Sequence, residues 1–137
     1  MGKFVLDSFA LLAYFQDEPG KRRVDELLLS ALSGVDEVCM AVVNLGETLC
    51  NLRRRYGDAR VSAALARIEQ LPIEVVDVGL ELSRDAALLK SARRLGFLDC
   101  FAAALAYQRQ AAVVTGDPGF AAVEDLVPIE WLPHPTR

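Results

Sequence analysis

Four short apolar runs constrain this chain most: Phe4-Val5-Leu6, Cys39-Met40-Ala41-Val42-Val43, Ile73-Glu74-Val75-Val76 and Ala112-Val113-Val114-Thr115. A strand with one wet face alternates apolar and polar residues; runs that scarcely alternate belong to strands buried on both faces, as in parallel sheets. Strands are therefore expected over residues 3–7, 39–43, 73–76 and 112–115, with a weak fifth at Ile129-Glu130-Trp131. The segments between them carry helical spacing. A helix is expected at 8–16, closed near Glu18-Pro19-Gly20, and another at 21–32, stopped by Ser33-Gly34. Leu45, Leu49, Leu52 and Tyr56 mark a third at 45–56, and Val61, Leu65, Ile68 and Leu71 a fourth from Asp58 to Pro72. Two more fall at 79–94 and 98–109, the latter apolar nearly all round and so expected to be buried. Gly116-Asp117-Pro118-Gly119 is turn chemistry. Strands alternating with helices imply an α/β fold with a mainly parallel sheet of four to five strands and right-handed crossovers.

The 137 residues, 53% hydrophobic and 25% charged, suit one globular domain over residues 1–137, with no linker or repeat. No apolar run approaches the roughly 20 residues needed to cross a bilayer. Asp7 and Asp17-Glu18 interrupt any signal-peptide core, so a cytoplasmic setting is expected. Cys39, Cys50 and Cys100 are odd in number and scattered among apolar neighbours, which reads as reduced, buried thiols. The net charge of −4 provides no global attraction for nucleic acid. Lys21-Arg22-Arg23, Arg53-Arg54-Arg55 and Arg93-Arg94 are local basic clusters, read first as solvated helix faces and otherwise as phosphate contacts.

In open parallel sheets ligands bind beyond the carboxyl ends of the strands. Asp7 ends the first strand, and Glu47 sits in the first turn of the helix after the second. Asp117 lies two residues past the fourth strand. Asp99 starts the helix that runs back to the amino edge, so it too belongs to the carboxyl rim. Each acid has a local reading. Asp7 and Asp99 suit N-caps, Asn44-x-x-Glu47 suits a capping box, and Asp117 suits a turn before Pro118. None of these explains the shared rim. Two unit charges ~4 Å apart repel by about 4 kcal/mol at an effective dielectric of ~20, and a divalent cation removes that conflict. Oxygen-only donors suit Mg²⁺ or Mn²⁺ rather than zinc, and helix N-termini at the same rim favour phosphate.

Such a site can hydrolyse a phosphodiester. A metal-free route would recruit histidines, and the single one, His134, stands in a proline-flanked tail. Ser8 and Thr115 are hydroxyls flanking the acids, and Asn44 is a cap or a substrate contact. Glu124 is a candidate peripheral acid, while Asp125 and Glu130 read as solvated charges. A phospho-acceptor signalling domain is disfavoured because Ser8 follows Asp7 where an acidic pair is needed and no Lys follows the fourth strand. A phosphatase with paired aspartates is disfavoured because position 9 is Phe. An inert binding module on the same fold is the alternative to an enzyme.

The stretches VLDSFALLAYF, AVVNLGETLCNL, FLDCFAAALA and VVTGDPGFAAVE together resemble the PIN-domain family and, within it, VapC-type toxin ribonucleases. The resemblance spans nearly the whole chain and sets Asp7, Glu47, Asp99 and Asp117 on the family's site acids, with Thr115 on its last-strand hydroxyl. It implies a Rossmann-like three-layer sandwich whose acids bind Mg²⁺ or Mn²⁺ and cut RNA. It also implies a homodimer and a cognate VapB-type antitoxin that blocks the site. Gly96-Phe97-Leu98 departs from relatives that carry a hydroxyl before the third acid. Phe9, Leu11, Leu12, Tyr14 and Phe15 make the first helix apolar on more than one face, expected to serve core packing and, in part, a partner.

Overall fold

The computed structural model describes residues 2–135. Five strands form one parallel sheet: β1 (Lys3–Leu6), β2 (Glu37–Ala41), β3 (Glu74–Val76), β4 (Ala112–Thr115) and β5 (Ile129–Trp131), in the order β3-β2-β1-β4-β5. The helices are α1 (Ser8–Phe15), α2 (Lys21–Leu32), α3 (Val42–Tyr56), α4 (Asp58–Gln70), α5 (Leu80–Ala92) and α6 (Phe97–Arg109). A 3₁₀ turn at Pro118–Val123 follows β4.

The weak alternation of the strands is explained by two cores, one on each face. Val5, Cys39, Ala41 and Val113 pack with Ala86, Phe101 and Leu105 of α5 and α6. Their neighbours Leu6, Val38, Met40 and Val114 pack with Leu11, Val24 and Leu27 of α1 and α2. Successive side chains of one strand therefore enter different cores, and each must be apolar. Cys100 through Ala106 are all buried, as expected of α6, and its alanines allow close approach to α5 and the sheet.

Several expectations need correction. The second strand ends at Ala41, so Val42 and Val43 open α3 rather than close β2, although β-branched residues favour strands. Glu47 consequently lies in the second helical turn. Leu65 is exposed, and Ala64 with Ile68 forms the buried stripe of α4. Cys50 is exposed, because it lies on the outer face of α3; Cys39 and Cys100 are buried and free as expected. Burial pushes the Cys39 thiol up to about 11. Among the described residues, no helix is long and apolar enough to cross a membrane.

Candidate functional site

The register of the two central strands sets the centre of the site. Leu6 pairs with Val114, which brings the next residues, Asp7 and Thr115, side by side. Both are buried, and both continue the side-chain parity of Val5 and Val113, toward α6. Asp7 is also the N-cap of α1: the Ala10 N–H donates to its Oδ1 (2.9 Å). The Thr115 hydroxyl donates to Asp7 Oδ2. That direction follows from the other bond Thr115 makes, because its Oγ1 accepts the Asp117 N–H (3.0 Å) and its proton remains free for Asp7. One hydroxyl thus ties the first acid to the backbone of the fourth.

Asp117 caps the 3₁₀ turn, with its Oδ1 accepting the Gly119 N–H (2.9 Å). Gly116 is required by close approach: a Cβ there would lie 2.3 Å from the Phe9 ring. Phe9 is held in turn edge-to-face against His134, with ring centroids 5.4 Å apart. Asp99 is not an N-cap. Gly96 occupies that position, and Asp99 stands in the first turn of α6, where a helix N-terminus favours negative charge.

The capping box at Asn44 is not formed either. Ala41 is the N-cap of α3, and Asn44 lies inside the helix, fully buried, with its Nδ2 donating to the Leu98 carbonyl (3.0 Å). Asn44 therefore pins α3 to the residue preceding Asp99. Its Oδ1 and the Oε1 of Glu47 are buried without a hydrogen-bond partner among the described residues. Thr48, which the sequence reading did not single out, is buried beside them and donates to the Asn44 carbonyl (2.9 Å). The available signal was its i+4 spacing from Asn44 on the inward face. Ser8, half-buried at the start of α1, makes no side-chain hydrogen bond among the described residues. Glu124 is exposed at the end of the 3₁₀ turn, while Asp125 and Glu130 are paired to Arg93 and Arg23 rather than merely solvated.

The acids interact electrostatically. Burial pushes the Asp7 carboxyl up to about 7 against the pull of Thr115 and the Ala10 N–H, and the charges of Asp99 and Asp117 add to the rise. Burial raises Asp99 to about 6, with Asp117 and then Glu47 contributing. Charge coupling therefore links Asp7, Asp99, Asp117 and Glu47, which come from the ends of β1 and β4 and from α6 and α3. In the side-chain positions shown, however, no three His, Cys, Asp or Glu residues among those described converge closely enough to grip a metal ion. What the rim gathers is a set of oxygen-only, anionic groups, with one glutamate oxygen buried and unbonded among the described residues. In donor type and charge it fits a hard divalent cation.

The PIN domain family model matches residues 4–126. No curated protein gives a significant match. Among solved structures, the chain is similar to VapBC2 from Rickettsia felis, solved bound to a promoter DNA fragment (15% identity, 96% of this chain and 99% of that one, TM-score 0.76). It is also similar to VapC20 of Mycobacterium tuberculosis, a toxin that cleaves the sarcin-ricin loop (21%, 95% and 99%, TM-score 0.75). A third is VapBC-5 of the same organism, from a family of toxin–antitoxin systems (25%, 98% and 100%, TM-score 0.60). The parallel sheet, the flanking helices and the family match over most of its length agree: the chain belongs to the PIN domain family.

Proposed function

We propose that this protein, a single domain over residues 1–137, is a Mg²⁺- or Mn²⁺-dependent endoribonuclease, the toxin of a VapBC-type pair. The observation that carries the reading is the coupling of Asp7, Glu47, Asp99 and Asp117 at one rim, where burial and neighbouring charge raise Asp7 and Asp99. Asp7, Asp99, Glu47 and Asp117 would hold the ion. When bound, a divalent cation supplies charge for the phosphoryl oxygens and acidifies water. The chain's own residues prepare the place. Asp7 is fixed from both sides, by the Ala10 N–H and the Thr115 hydroxyl. Thr115 couples that carboxylate to the Asp117 backbone, and Asn44 fixes α3 against the start of α6. The N-termini of α1 and α6 favour the anionic phosphodiester.

An RNA substrate is supported by the fold shared with VapC20, named as cleaving the sarcin-ricin loop, and a VapB-type antitoxin by similarity to chains solved as VapBC pairs. Leu88 and Tyr107, exposed beside an apolar cleft of about 360 Å³ bounded by α5, α6 and the segment Val123 to Val127, offer a surface for a second copy. A monomeric mass by light scattering at micromolar concentration would contradict the homodimer. Its site of action on this reading is the cytoplasm, where the free thiols of Cys39, Cys50 and Cys100 would stay reduced. Purified protein is expected to cleave RNA with Mg²⁺ or Mn²⁺, and Asp7→Asn to abolish cleavage while leaving the fold intact. Equal cleavage in excess EDTA would remove the metal from the mechanism.

One observation favours a second reading, an inert PIN-fold binding module: the carboxylates stop short of convergence. That reading predicts RNA binding with no turnover under any divalent ion.

A further inference from the structure

The three basic clusters differ in what surrounds them. Lys21 pairs with Asp25, Arg22 with Glu26, and Arg23 with Glu130. Arg53 pairs with Asp58, and Arg93 with Asp125. Arg54, Arg55 and Arg94 have no carboxylate partner among the described residues, and of these Arg54 and Arg55 line a groove. The groove, about 350 Å³, lies between α1 and α3 and is bounded by Leu12, Gln16, Asn51, Arg54 and Arg55. No acid lines it. Arg54 makes no hydrogen bond or ion pair among the described residues. Arg55 donates only to the neutral Gln16 Oε1 (3.0 Å).

The same surface continues onto α4 with two more guanidiniums that have neutral acceptors. Arg60 donates to the Phe15 carbonyl (2.7 Å) and lies 4.3 Å from the Tyr56 ring centroid, and Arg67 donates to the Tyr14 hydroxyl. Four uncompensated arginines on one side of a protein with net charge −4 mark a segregated positive field. Its position relative to the acids follows from α3. Glu47, Asn51, Arg54 and Arg55 follow at helical spacing, with Glu47 and Arg54 about 10 Å apart along the axis at ~1.5 Å per residue.

We infer that this α1–α3 groove is a phosphate track, holding the backbone of a single-stranded RNA so that the strand continues onto the acid rim. The inference rests on the nuclease reading for its ligand. Guanidiniums engage phosphate oxygens through paired N–H donors. Gln16 and Asn51 wall the groove, with their amide N–H groups already donating to Glu18 Oε1 and to the Glu47 carbonyl. Arg54 and Arg55 bind and position; the acids do the chemistry.

The test is anisotropy of a fluorescein-labelled single-stranded oligoribonucleotide binding the intact protein in EDTA, where cleavage does not interfere. Arg54→Ala/Arg55→Ala is expected to weaken binding by about tenfold across sequences and to flatten the slope of log K against log salt by about 1.4, at ~0.7 per lost phosphate contact. Arg54→Lys/Arg55→Lys is expected to restore most of the slope, and Arg22→Ala/Arg94→Ala to bind as wild type. Unchanged affinity and slope in the double alanine variant would overturn the inference, and so would an equal loss in the Arg22/Arg94 variant. A poly-glutamate peptide binding more tightly than RNA would also overturn it, in favour of an acidic protein segment. Cleavage by wild type with Mg²⁺ or Mn²⁺ is read separately. Its absence would remove the nuclease reading while the anisotropy still decides the groove.

Discussion

Asp7 is the N-cap that one reading of the sequence expected, and the same bonds bear on its candidacy as a ligand. It caps α1 through one oxygen and accepts Thr115 through the other, so the structural role holds the candidate ligand still. Its burial has a thermodynamic consequence. The folded state holds the Asp7 proton up to about pH 7 and the Asp99 proton up to about pH 6, whereas the unfolded chain releases both near the ordinary value of 3.8. Between those limits the native state binds more protons. Stability of the metal-free protein therefore falls as pH rises from about 4 to about 7, by at most about 1.4 kcal/mol per pH unit per carboxyl. Asp99, partly exposed, contributes less than Asp7. Chemical denaturation across pH 4–8 in EDTA is expected to show this decline and Asp99→Asn to lessen it. A rise through the same interval would contradict the burial account. Asn44 was less legible. Its spacing to Glu47 imitates a capping box, and only the tertiary contact with the Leu98 carbonyl shows that it ties two helices together.

At the scale of elements, the sheet was readable because both of its faces are buried, which leaves the strands apolar regardless of parity. The gathering of the acids toward one rim followed from the rule that parallel strands share one carboxyl edge. The boundary between β2 and α3 was not readable, because Val42 and Val43 suit either state and the packing of Val43 against the α5–α6 core decides it. Nor was the role of Gly116, which lies in what reads as a plain turn. The β4 exit runs so close to α1 that a side chain at Gly116 would overlap the Phe9 ring. Gly116→Ala is expected to cost about 1–3 kcal/mol by overpacking and to displace Asp117. Phe9→Ala in the same chain is expected to recover part of that loss, as a double-mutant cycle in thermal melts would show. Additive losses would mean that the contact is relieved elsewhere.

On the scale of the whole molecule, charge is sorted rather than balanced. The carboxyl rim gathers four acids, of which Asp7 and Asp99 gain proton affinity, while the neighbouring α1–α3–α4 surface gathers Arg54, Arg55, Arg60 and Arg67, which have no carboxylate partner among the described residues. Juxtaposed fields of opposite sign suit an anionic polymer gripped on one side and a cation held on the other. Composition hid this, because a net charge of −4 averages the two. That the acids stop short of convergence was beyond the sequence for a different reason: topology brings them to one rim, but side-chain positions determine whether they close on an ion. Calorimetric titration of the protein with Mn²⁺ at pH 6.5, in two buffers of different ionisation enthalpy, tests this most directly. The account predicts a saturable site with net proton release, as the raised carboxyls ionise to become ligands, and loss of that site in a folded Asp99→Asn variant. A wild-type protein that takes up no more Mn²⁺ than the variant, and releases no protons, would contradict it.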